Sequence, residues 1–86
     1  MKKKIYLVVY SSYIDELYTE VSVHMDYDEA SSAFKSHIED IKEDVDTEDD
    51  ENLQYLEYAN GVKEFSYFDP FSNHEYSVSL EIHELS

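Results

Sequence analysis

The stretch Ile5 to Tyr10, IYLVVY, is an unbroken run of β-branched, aliphatic and aromatic residues. Such a run suits a strand held at the centre of a sheet and covered on both faces. A short polar connection, residues 11 to 16, is expected to follow. The next segment, LYTEVSVHM at 17 to 25, alternates: Leu17, Thr19, Val21, Val23 and Met25 share one face, and Tyr18, Glu20, Ser22 and His24 the other. A period of two predicts a half-buried strand that forms a hairpin with the first.

The period then changes. Asp26 is placed to cap a helix, with Glu29 three residues on as in a capping box. Ala30, Ala33, Phe34, His37, Ile38, Ile41 and Val45 recur at the spacing of one helical face, which predicts an amphipathic helix over 27 to 45. Asn60-Gly61 sits between two alternating runs, 53 to 59 and 62 to 68. The dipeptide predicts a two-residue type I′ hairpin, with Ala59 opposite Val62, Glu57 opposite Glu64 and Leu56 opposite Phe65. A turn containing Pro70 follows at 69 to 73. The last strand spans 74 to 85, with Tyr76, Val78, Leu80 and Ile82 facing in and Glu75, Ser77, Ser79, Glu81 and His83 facing out.

The order ββαβββ predicts an α+β two-layer sandwich, in which one helix covers one face of a mostly antiparallel five-stranded sheet. Eighty-six residues fit a single domain, 1–86. The other sheet face is expected to be open, polar and acidic, with Glu20, Glu57, Glu64 and Glu81 on it.

Charge adds what periodicity cannot. Twenty-one Asp and Glu face six Lys and no Arg, for a net charge of -15. A domain of this length should be about 30 Å across. That would place about one net negative charge on every 2 Å, near the one per ~1.7 Å of duplex DNA. Such a field repels phosphate and attracts basic surfaces, so direct binding to nucleic acid is disfavoured. The acids concentrate in EDIKEDVDTEDDE, residues 39 to 51, where nine carboxylates accompany one lysine. Nine Tyr and four Phe give the chain more aromatic surface than a disordered acidic tail. The tyrosines are too many for the core alone. Most pad a small polar core, and the rest, beside carboxylates, suit an interface.

Candidate chemistry is sparse. There is no Cys, so disulfides and thiolate metal sites are excluded and a cytoplasmic setting fits. The lysines at 2 to 4 lead into an apolar stretch too short for a signal peptide, and no apolar run approaches the ~20 residues of a membrane span. Counting from Asp46 as the first position of a calcium loop puts Glu51 where an EF-hand needs glycine, and a strand where it needs a helix. His24, His37, His74 and His83 form no pair at zinc-ligand spacing. There is no cysteine nucleophile or glycine-rich phosphate loop, and carboxylates this abundant single out no catalytic pair. The expectation is a protein that is not an enzyme and carries no cofactor or metal.

The acids point instead to recognition. Helix residues four apart, and outward strand residues two apart, are separated by about 6 Å, near the phosphate spacing of one DNA strand. Glu39, Asp40, Glu43 and Asp44 on the helix, with Asp46, Glu48, Asp49, Asp50 and Glu51 beyond it, can follow a phosphate-like track. In size, charge and lack of catalytic residues the chain resembles small acidic phage inhibitors of nucleases, glycosylases and CRISPR effectors. The resemblance is one of composition. It implies a DNA-mimic-type inhibitor, such as an anti-CRISPR or anti-restriction protein, whose partner is a basic nucleic-acid-binding protein. The alternative is a generic acidic protein-interaction or regulatory domain without mimicry.

Overall fold

The computed structural model describes residues 3–44, 53–69 and 73–85. Five strands and one helix follow in the expected order: β1 (Lys3–Ile14), β2 (Glu16–His24), α1 (Tyr27–Asp44), β3 (Leu53–Glu57), β4 (Lys63–Asp69) and β5 (His74–Leu85). Every pairing is antiparallel, and the sheet order is β2-β1-β5-β4-β3. The fold is therefore an α+β sandwich of one sheet and one helix.

Helix α1 forms because its apolar residues share one stripe and its first turn is capped. The Asp28 N–H donates to Asp26 Oδ1 at 2.8 Å, and the Ala30 N–H donates to the Asp26 carbonyl at 3.1 Å. The first bond satisfies an amide that a helix leaves unpaired, and the second opens the helical ladder. The stripe buries Ala30, Phe34, Ile38 and Ile41 against the sheet. Val45, the last residue of the predicted stripe, lies outside the described residues, as do Pro70 and most of its turn.

Register decides what the helix meets. Val8 pairs with Leu80, Tyr10 with Val78 and Ser12 with Tyr76. Leu80, Val78 and Tyr76 pair in turn with Lys63, Phe65 and Tyr67 of β4. One face of the three central strands thus supplies Val8, Phe65, Tyr67, Tyr76, Val78 and Leu80 to the core. The inward and outward sets of β5 are those expected from its alternation, with Ile82 packed against the core.

Three expectations are corrected. First, residues 11 to 14 are strand, not connection. They pair with β2 on one side, and through Tyr13 with β5 on the other, which satisfies their backbone. The turn shrinks to Asp15, at φ 80°. Second, that turn sets Tyr13 opposite Leu17 and Val9 opposite Val21. Leu17, Val21 and Val23 are thereby turned away from the helix, and β2 shows its polar residues to the helical side. Glu20 and, in β3, Glu57 lie on the helical side as well, so neither belongs to the open face. Third, the β3–β4 register is shifted by one residue. Glu57 pairs with Lys63, Leu56 with Glu64 and Tyr55 with Phe65. The loop has three residues: the Gly61 N–H donates to the Tyr58 carbonyl at 3.0 Å, and the Tyr58 N–H to the Val62 carbonyl at 2.9 Å. A type I′ turn needs positive φ at both Asn60 and Gly61. Here only Gly61 has it, at 97°. Asn60 uses its side chain instead, accepting the Val62 N–H at 3.2 Å. This is the longer hairpin loop whose final position favours glycine.

The molecule measures 49 × 26 × 17 Å. The net charge of -15 is spread along a longer axis than a sphere would have, at about one per 3 Å, roughly half the axial density of duplex DNA.

Two expected outcomes follow. A Cβ on Gly61 would stand 3.2 Å from Ile82 Cδ1 and 3.4 Å from Tyr27 Cε2, at a φ that L-residues resist. Gly61→Ala should cost about 1–2 kcal/mol in urea unfolding, and an unchanged midpoint would contradict the turn. Asp15→Gly should do the reverse, leaving stability unchanged or raising it by up to about 1 kcal/mol, because it relieves a positive φ on a residue with a Cβ. A clear loss in the same assay would count against the one-residue turn.

Candidate functional site

The predicted site begins on the last two turns of α1. The helix is pinned by Phe34, Ile38 and Ile41, so its opposite side must face water. Glu39, Asp40 and Glu43 are exposed there, together with Asp28 and Glu29 near the start. Asp44 closes the helix. Asp46, Glu48, Asp49, Asp50 and Glu51 lie outside the described residues. Lys42 is the basic residue of the last turn, so the helix ends with carboxylates beside its negative dipole end and one lysine to offset them.

Other carboxylates occupy the second layer. Glu64, Glu75 and Glu81 point away from the helix on β4 and β5. Among the described residues the acids thus lie on both faces of the molecule rather than in one stripe. The open face is not uniformly acidic, however. Its rows read Val23–Leu7–Glu81, Val21–Val9–Ser79–Glu64, Thr19–Ser11–Ser77–Ser66 and Leu17–Tyr13–Glu75–Phe68. The β5–β4 half is hydroxyl-rich and acidic, as expected. The β1–β2 half is apolar. Ser11 and Ser77 join the halves through a 2.6 Å contact between their Oγ atoms. A shallow depression of about 440 Å³ lies at the Tyr13–Phe68 end of this face, floored by Ser11, Ser66 and Ser77.

The tyrosines divide by depth. Tyr67 and Tyr76 are buried, and Tyr6, Tyr10 and Tyr27 pack against the core from its rim. Tyr27 meets Tyr6 edge to face, with centroids 5.6 Å apart, and donates its hydroxyl to the Gly61 carbonyl at 3.1 Å. This ties the start of the helix to the β3–β4 loop. Tyr13, Tyr18, Tyr55 and Tyr58 are exposed. Two of these touch carboxylates: Tyr18 donates to Glu20 and Tyr58 to Glu64, each at 3.3 Å. The negative charge of Glu20 holds the Tyr18 phenol above its ordinary pKa, with burial and the hydrogen bond acting in the same direction.

Sequence reasoning passed over Lys63. Its side chain is buried on the helical side, 3.6 Å from Glu57 Oε1, 3.5 Å from Ser31 Oγ and 5.8 Å from the centre of the Tyr27 ring. Alternation in β4 sets it on the same face as Phe65 and Tyr67, and its charge is what argues against burial in the sequence. The shifted hairpin register supplies the partner, by placing Glu57 opposite the lysine. Its aliphatic stem fills the gap between helix and sheet while its ammonium reaches a carboxylate at the rim.

The histidines stay apart. His37 stacks on Tyr10 at 5.0 Å, His24 shares a 2.9 Å hydrogen bond with Ser22, and His83 lies 3.7 Å from Glu81. Among the described residues no three His, Asp or Glu side chains converge as a metal-ligand set. No described helix is long and apolar enough to cross a membrane.

So many like charges on a thin molecule repel one another, and dissolved ions screen that repulsion. The melting temperature should rise as NaCl is increased from about 20 to about 500 mM. A steady fall over that range would show that attractive ion pairs outweigh repulsion.

In comparisons with known proteins, no family model, curated protein or solved structure matches the chain.

Proposed function

We propose that the protein is a non-catalytic binder whose carboxylates occupy a basic, nucleic-acid-binding surface of a partner protein. It would act as a DNA-mimic-type inhibitor, in the manner of the phage anti-CRISPR and anti-restriction proteins that it resembles in composition. The observation that carries this reading is the outer side of α1, where Glu39, Asp40 and Glu43 are exposed on a helix anchored from beneath by Phe34, Ile38 and Ile41. Carboxylates on a fixed helix are held in place before a partner arrives, so little ordering entropy is lost on binding. The net charge of -15 steers the molecule toward basic surfaces and away from nucleic acid itself. The partner class places the encounter in the cytoplasm.

A second reading, an acidic interaction or regulatory domain without mimicry, draws on a different observation. Carboxylates on both layers and an uncharged stretch between them suit an interface with an apolar centre and a charged rim.

The test uses the proteins that a heparin column retains from a bacterial lysate, offered to the immobilised chain. Binding should be displaced by duplex DNA and should weaken steeply between about 50 and 300 mM NaCl. The triple variant Glu39→Lys, Asp40→Lys, Glu43→Lys changes exposed residues only. It should fold as the parent does, by circular dichroism, and bind at least ten-fold more weakly. Full binding by the folded variant would remove the α1 surface from the interface, and binding indifferent to salt and DNA would remove mimicry.

A further inference from the structure

Among the described residues, the open face of β1 and β2 between Ile5 and Tyr13 and between Leu17 and Val23 carries apolar side chains with neither charge nor cover. From Ile5 to Tyr13 on β1, and from Leu17 to Val23 on β2, no side chain directed to this face is that of Asp, Glu, His, Lys or Arg. Leu17, Val21 and Val23 are 70%, 54% and 60% exposed, and Tyr13 is 48% exposed. With the partly covered Leu7 and Val9, they form an apolar patch on the order of 600 Å², at the upper limit of what a monomer exposes. A chain with twenty-one carboxylates that keeps them off one face of two adjacent strands has done so against its own composition.

We propose that this face is covered by a second copy of the chain, packed sheet against sheet. Three observations select that occupant. The patch approaches the ~800 Å² per subunit of a standard protein interface. The continuous apolar run of β1 has the pattern of a strand buried on both faces, yet α1 covers one face only. The third is the distribution of charge. Glu75 and Glu81 on β5, and Glu64 on β4, bar a full overlay of one sheet on the other, because carboxylates would meet carboxylates. A two-fold axis running parallel to the strands, between β1 and β2, avoids this. It lays β2 of each copy over β1 of the other, and sends β5, β4 and β3 to opposite sides.

In that arrangement each row of the patch meets itself. Val21 packs on Val9 of the second copy and Val23 on Leu7. The Thr19–Ser11 row places hydroxyls opposite hydroxyls, where each can donate to the other. The result is an aligned β-sandwich with the two helices on its outer faces. The acidic sides of α1 stay exposed and doubled in number, so the dimer leaves the proposed partner surface free. Joining two β2 edges into one longer sheet is a different arrangement, which would leave Val21 and Val23 in water.

Sedimentation equilibrium on the full chain, from about 5 to 500 μM and at about 50 and 500 mM NaCl, tests the proposal. The chain should be a dimer at the higher concentrations. The dimer fraction at fixed concentration should rise with salt, because salt screens repulsion between the copies. This is the opposite of the salt response expected for binding to a basic partner, so the two readings fail separately. Val21→Glu puts a charge at the centre of the patch and should weaken dimerisation at least ten-fold with an unchanged circular dichroism spectrum. Val21→Thr, equal in shape and strand preference, should weaken it by a smaller factor and covers the case in which the glutamate disturbs folding. A chain that is monomeric at 500 μM in 500 mM NaCl overturns the proposal and leaves the face to a partner of another sequence. A dimer that both variants form as well as the parent also overturns it, by showing that another surface, such as the β2 edge, holds the copies together.

Discussion

Ile14 lies opposite Glu16 across a turn of one residue, and this pairing fixes the facing of every residue in β2. In an antiparallel ladder, residues that pair point to the same side. The helix selects the even-numbered residues of β1 for the core through Val8, so the even-numbered residues of β2 must also lie on the helical side. Those residues are Tyr18, Glu20, Ser22 and His24. The aliphatic residues of β2 have no choice but the other face. A turn longer by one residue would have reversed the assignment and carried Leu17, Val21 and Val23 toward the helix. The exposed apolar half of the sheet is thus a consequence of chain geometry, and not of a shortage of polar residues.

The same logic operates at the opposite edge with the opposite result. The three-residue loop at Ala59, Asn60 and Gly61 sets Tyr55 and Leu53 opposite Phe65 and Tyr67, so that these residues of β3 face the helix, where Tyr55 meets Phe34 edge to face. Lys63 faces inward through its pairing with Leu80 of β5, and the loop brings Glu57 alongside it, where Ser31 and the Tyr27 ring complete its surroundings. A two-residue loop would have set Gln54 and Leu56 toward the helix in place of Leu53 and Tyr55, because β3 is the edge strand and pairs with β4 alone. Glu57 would then have faced away from Lys63 and left a buried charge without its carboxylate. The loop that forms is the one that keeps Glu57 beside Lys63.

The helix and β5 were legible in the sequence because each has a single apolar face and α1 has a recognisable cap. Phe34, Ile38 and Ile41 announce their spacing, and Tyr76, Val78 and Leu80 announce theirs. The limits of β1 were not legible, since Ser11 and Ser12 have the composition of a turn and acquire strand structure only from neighbours on both sides. The facing of β2 was hidden for a related reason. Alternation shows that a strand has two unlike faces, but the number of residues in the turn decides which of them meets the helix. Of the candidate site, the exposure of Glu39, Asp40 and Glu43 followed from the helical stripe, while the apolar break in the open face depended on register. Lys63 shares the face of Phe65 and Tyr67 by alternation, but the carboxylate that permits its burial, Glu57, comes opposite it only through the shifted hairpin.

The pairing of β1 with β5, which sets Lys3 opposite Leu85, bears on how the chain is made. The central pair of strands joins the two ends of the described chain. During synthesis, β1 waits for a neighbour that emerges after every other element, and α1 has no completed sheet to pack on until then. Early in that interval the β1–β2 hairpin is the one piece that can form from local contacts, and it presents aliphatic residues on both sides to water. Closing so long a loop is entropically slow. Like charge on the acidic segments that emerge next opposes contact between nascent chains while the hairpin is uncovered, so the charge on the mature surface acts on the unfinished one as well.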